Sequence, residues 1–140
     1  MAPSTLVVDA NIVVAALLKD STSRKLLLRV KKPKLFTPEF INEELSKYLG
    51  EFSKRLNVKE AELKFAVEQL ILESKMEVVP LHEYSGFIAQ ATEITPDLKD
   101  AEYFALALKL GCPLWSQDSK LKKQPKVKVL STKELIEKMK

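Results

Sequence analysis

The sequence predicts an α/β fold, a three-layer sandwich with a central, mainly parallel five-stranded sheet between two layers of helices. Three observations predict it. Five short runs of β-branched and other apolar residues are spread along the chain, helical periodicities separate most of them, and 140 residues suit one hydrophobic core. Strands alternating with helices form βαβ crossovers, which make the strands parallel and put helices on both faces of the sheet.

The first strand is Thr5–Val8, closed by Asp9. Helical patterns follow over residues 10–19 and 23–31, and residues 35–37 form the second strand. Thr37-Pro38 looks like a cap with proline at the first helical position, opening a helix over residues 40–52. Residues 59–74 give the clearest helix, because Leu63, Ala66, Val67, Leu70 and Ile71 share one face at helical spacing. Glu77–Val79 is the third strand. Residues 85–92 and 97–110 are helices, the latter with Ala101, Phe104, Ala105 and Leu108 on one stripe and Gly111 as its stop. Residues 114–116 and 127–130 complete the strands, and Ser131 caps a last helix reaching Met139. No repeat, low-complexity tract or linker divides the chain, so residues 1–140 are expected to form a single domain.

Composition narrows the function classes. Hydrophobic residues make up 46% and charged residues 30%, with only 3 Gly and 7 Pro, a balance that belongs to a folded chain and not to a disordered one. Cys112 is the only cysteine, so no disulfide forms within the chain, and nothing near it suggests a zinc knuckle or a dyad with His82. The start is not signal-like, and no run approaches the roughly 20 apolar residues of a membrane span. A reducing cytoplasm is the expected location, with no membrane partner. The net charge of +4 permits a polyanionic partner without demanding one. Basic residues bunch at Lys31, Lys32 and Lys34, and again at Lys120, Lys122, Lys123, Lys126 and Lys128; a solvated lysine-rich surface is the plain alternative for both groups.

The acids carry the chemistry. Asp9 follows the first strand and Asp118 lies two residues beyond the fourth. In open α/β sheets, ligands bind beyond the carboxyl ends of the strands. Helix N-termini reach the same edge, bringing Asp97 and Asp100 alongside. A fourth acid comes from Glu43 or Glu44. Ile41, Leu45, Tyr48 and Phe52 define the inward stripe of that helix; Glu44 flanks it, whereas Glu43 shares the opposite face with Glu39 and Lys47. Glu44 is therefore the expected fourth acid. Its Cα lies roughly 9 Å along the helix from Pro38, so its side chain is expected to reach back toward the strand ends.

Each acid also has a purely structural use. Asp9 and Asp97 suit helix caps, Asp100 the first turn of a helix dipole, Asp118 a turn, and Glu44 a pair with Lys47. Their convergence is harder to explain that way, because clustered carboxylates repel unless protons or cations neutralise them. All-oxygen donors without His or Cys select hard cations, Mg²⁺ or Mn²⁺ and not zinc. Such ions bind phosphate oxygens and activate water, and the lysines make nucleic acid a sensible phosphodiester substrate.

Four blocks, VDANI, NEEL, DLKDAEYFALAL and WSQD, occur in an order that resembles the PIN-domain nucleases over nearly the whole chain. The resemblance implies a five-stranded parallel sheet in an α/β/α sandwich, one or two Mg²⁺ or Mn²⁺ ions, and RNA hydrolysis. It maps catalytic carboxylates onto Asp9, Glu44, Asp100 and Asp118, supporting polar roles onto Asn11 and Ser116, and an additional acid onto Asp97. Ser116 stands where many relatives have Thr, and the hydroxyl is kept. Lys120, Lys122 and Lys123, close after Asp118, are candidate phosphate contacts. Many relatives are toxins silenced by a small antitoxin, others process or degrade RNA, and homodimers are common.

Two other classes compete. A non-catalytic RNA-binding or assembly module on the same fold would not need the intact acidic set. Phosphotransfer domains also place an Asp after the first strand, but the haloacid-dehalogenase pattern needs a second Asp where Asn11 stands, and receivers need a late lysine that cannot be assigned.

Overall fold

In the computed structural model, which describes residues 2–140, β1 (Thr5–Val8) is the central strand. Leu6, Val7 and Val8 are all wholly buried, as a parallel strand covered on both faces must be. β2 (Lys34–Pro38) and β4 (Leu114–Trp115) flank it, and β3 (Glu77–Val79) and β5 (Val129–Leu130) are the edges. The order is β3-β2-β1-β4-β5 and every pairing is parallel.

α1 (Ala10–Leu18) and α2 (Ser21–Leu27) lead from β1 to β2, and α3 (Ile41–Leu56) and α4 (Glu60–Ser74) from β2 to β3; α1, α3 and α4 pack together in one layer. α5 (Leu81–Tyr84), α6 (Ile88–Ile94) and α7 (Ala101–Leu110) carry the chain back across the other face to β4. α7 lies on β1, β2 and β4 beneath α5 and α6, and its residues 103–107 are all buried, the signature of a helix enclosed all round. α8 (Thr132–Met139) is held by a reciprocal capping box between Ser131 and Glu134. The buried hydroxyls of Ser23 and Thr132, 2.8 Å apart, tie it to α2. The predicted fold class holds. No helix among the described residues is long and apolar enough to cross a membrane.

Several element boundaries differ from the sequence expectation. Thr37-Pro38 is not a helix start: Pro38 ends β2 opposite Val79, and α3 begins at Ile41. The Thr37 hydroxyl donates to the Val8 carbonyl at 2.9 Å instead of capping a helix. Glu44 therefore sits in the first turn of α3 and need not reach back. α2 starts earlier, at Ser21, because the Asp20 carboxylate accepts from the Ser23 N–H at 3.0 Å, and it stops at Leu27, short of Pro33. Residues 98–100 form a separate 3₁₀ turn before α7. Ser116, Val127 and Lys128 lie outside the strands.

Candidate active site

The chain changes direction across the sheet at β1, with β2 on one side and β4 on the other, which opens a crevice beyond their carboxyl ends. Asp9 stands there. Ser116, just beyond β4, donates its hydroxyl to Oδ2 of Asp9 at 2.8 Å. The same Ser116 oxygen accepts from the Asn11 side-chain amide at 3.1 Å and from the Asp118 N–H at 3.1 Å. One hydroxyl thus ties the Asp9 carboxylate, the first turn of α1 and the loop bearing Asp118. Asn11 completes the frame by accepting the Gln117 N–H at 3.3 Å. The structure thus places Asn11 and Ser116, two of the residues singled out in the sequence, in one hydrogen-bonded frame with Asp9.

Three of the acids also do the structural work that their sequence positions allow. Asp9 accepts from the Asn11 N–H, Asp97 from the Lys99 N–H and Asp118 from the Lys120 N–H, each capping the turn that follows. Asp100 opens α7 without a side-chain capping bond. Glu44 is half-buried, and its Oε1 accepts the Tyr103 hydroxyl at 2.5 Å, while Glu43 is exposed on the other side of α3.

Electrostatics link these segments. Asp9 is only 5% exposed, and burial pushes its pKa up to about 7; the Ser116 hydrogen bond opposes this, while Asp100 and Glu44 add to it. Burial likewise lifts Asp100 to about 6, aided by Glu44, Asp97 and Asp118 and opposed by Lys99. Glu44 is raised by burial, against the Tyr103 hydrogen bond. Among the described residues, Asp97 alone of the five acids has an ion-pair partner, Lys99 at 3.7 Å.

The structure thus brings Asp9, Glu44, Asp97 and Asp118 each within electrostatic reach of Asp100. Among the described residues no three His, Cys, Asp or Glu side chains are closed around a common point as a ready-made metal cage. The donor chemistry still fits a hard cation: the acids are oxygen donors, and the most buried has no cationic partner.

The lysines divide. Lys120 and Lys123 are exposed, Lys122 pairs with Glu134 on α8, and Lys126 and Lys128 lie near Gly111 and Pro113 at the opposite ends of the strands. Beside the acids, an apolar groove of about 560 Å³ runs between α1 and α3, lined by Asn11, Val14, Leu18, Tyr48, Phe52 and Leu56. Sequence reasoning missed Tyr103 and Gln117. The available signal for Tyr103 was its position three residues after Asp100, which returns it to nearly the same side of the chain.

Three solved structures share this architecture. VapBC2 from Rickettsia felis, bound to a DNA fragment from its promoter, is 14% identical with a TM-score of 0.66, over 91% of this chain and 98% of that one. A toxin-antitoxin complex from Klebsiella pneumoniae is 16% identical with a TM-score of 0.61, over 91% and 97%. PAE2754 from Pyrobaculum aerophilum is 20% identical with a TM-score of 0.66, over 96% and 88%. No curated protein matches. Likeness at these identities establishes the fold alone. The PIN domain model matches residues 7–139, which include every acid of the crevice, and the chain therefore belongs to the PIN-domain family.

Proposed function

We propose that this protein is a metal-dependent ribonuclease that hydrolyses RNA phosphodiester bonds at the crevice holding Asp9, Glu44, Asp100 and Asp118. Asp9 carries the reading: a carboxylate 5% exposed and pushed up to about 7 beside Asp100 and Glu44 is costly to keep ionised unless a cation joins it. Those four residues would hold Mg²⁺ or Mn²⁺, with Asp97 at the margin. When bound, such an ion supplies charge neutralisation at the phosphate and a water activated for attack. Ser116 keeps Asp9 in one orientation, and Asn11 fixes the loop carrying Asp118. Cys112 precedes β4, at the strand end opposite the crevice, so it is no nucleophile for this site.

The test is cleavage of single-stranded RNA by the purified protein with Mn²⁺, with Mg²⁺ and with chelator. Cleavage is expected with a divalent ion and none with chelator. RNA binding without cleavage under either ion would favour the non-catalytic module instead.

Phosphate contacts belong to the lysines left free beside Asp118. Lys120→Ala combined with Lys123→Ala should weaken RNA binding in chelator and reduce the salt slope by roughly two. Lys122→Ala should do less, since Lys122 is already paired with Glu134. A slope equal to the parent's returns the cluster to plain surface. The groove between α1 and α3 offers an apolar helix a seat next to the acids, which suits an antitoxin-like partner of the kind in the Klebsiella complex.

A further inference from the structure

We propose that Tyr103 is a positioning residue whose phenol holds Glu44 in place for metal binding. The proposal rests on the nuclease reading above and deepens it. Tyr103 is wholly buried on α7, with its ring set edge-on to Phe40 at 6.2 Å between centroids, and its hydroxyl donates to Oε1 of Glu44 at 2.5 Å. The bond joins α7 to α3 through two residues 59 apart in sequence. One rigid side chain thus relates the helix carrying Glu44 to the helix that Asp100 opens.

A glutamate on a surface helix turn samples several rotamers, and ordering it has an entropic cost. The phenol restricts that freedom before any ion arrives. It also engages Oε1, leaving Oε2 as the freer ligand atom. Partners of this kind typically set metal affinity by 10- to 100-fold.

The same helix supplies a matched control. Tyr84, also wholly buried, donates its hydroxyl to Oε1 of Glu102 on α7 at 2.6 Å, and Glu102 is not among the crevice acids. Tyr103→Phe and Tyr84→Phe each remove one buried hydroxyl and keep the ring. Mn²⁺ affinity is measured by calorimetric titration, and thermal melts are recorded in chelator. Tyr103→Phe is expected to bind Mn²⁺ at least about tenfold more weakly than the parent, Tyr84→Phe as tightly as the parent, with comparable losses of metal-free stability in the two. Equal Mn²⁺ affinity in Tyr103→Phe and the parent, or an equal loss in Tyr84→Phe, overturns the tyrosine's role and leaves the nuclease reading standing. A parent protein that binds no Mn²⁺ overturns both, and that result is seen before either variant is made.

Discussion

On the proposed function, Asp9→Asn is expected to lose cleavage of single-stranded RNA by about 10³-fold or more, since several kcal/mol of charge stabilisation at phosphate would depend on the ion that Asp9 is proposed to hold. The fold should survive. Asn caps helices as well as Asp does, and the new side chain can still accept one of the two bonds now made by Ser116 and the Asn11 N–H. Loss of activity with a retained thermal transition therefore separates a site effect from unfolding. The comparison of Glu44→Gln with Glu43→Gln is the internal control: both are charge-neutralising changes within the first turn of α3, but only Glu44 faces the acids. Glu44→Gln should fall steeply and Glu43→Gln should cut like the parent. Initial cleavage rates in Mn²⁺ decide it. Parent-like cutting by Asp9→Asn would remove this carboxylate from the mechanism.

How much of this was legible in the sequence depends on where the signal lay. The apolar run at Thr5–Val8 and the periodic face of α4 were plain because burial on both faces, or on one stripe, leaves a pattern in a single stretch of chain. The choice of Glu44 over Glu43 needed only the angle between successive helical residues, and the structure turns Glu44 toward the acids and Glu43 away. Pro38 misled because proline suits a first helical turn and a strand end equally well. The tertiary fact that decides between them, pairing with Val79 on a strand forty residues later, has no local trace. Tyr103 escaped for the same reason: in its own helix it looks like one more core aromatic, and its partner lies on a different helix. The later lysines show the limit most directly. Five of them follow Asp118 closely in sequence, but the chain crosses the sheet between Lys123 and β5, which takes Lys126 and Lys128 to the other end of the strands.

The acid cluster also predicts that function and metal-free stability oppose each other. Among the described residues no side-chain hydrogen bond to the Asp100 carboxylate offsets its burial, and Glu44, Asp97 and Asp118 repel it. Asp100→Asn should accordingly leave the protein in chelator at least as stable as the parent at pH 8, with a gain on the order of 1 kcal/mol once solvent screening of this half-buried group is allowed for, or about 3 °C in Tm. The pH dependence fixes the sign. Asp100 is raised from 3.8 to about 6 and Asp9 from 3.8 to about 7, so between pH 4 and 7 the folded parent holds more protons than the unfolded chain, and its metal-free stability should fall as pH rises through that window. Asp100→Asn should shorten the fall. Saturating Mn²⁺ should reverse it in the parent, adding about 2.7 kcal/mol at a hundred times the dissociation constant, and should add much less to the variant. Thermal melts of both proteins from pH 4 to 8, with chelator and with Mn²⁺, give all four curves. If Asp100→Asn melts well below the parent in chelator and still gains as much from Mn²⁺, Asp100 serves only to start α7 and the ion is held elsewhere.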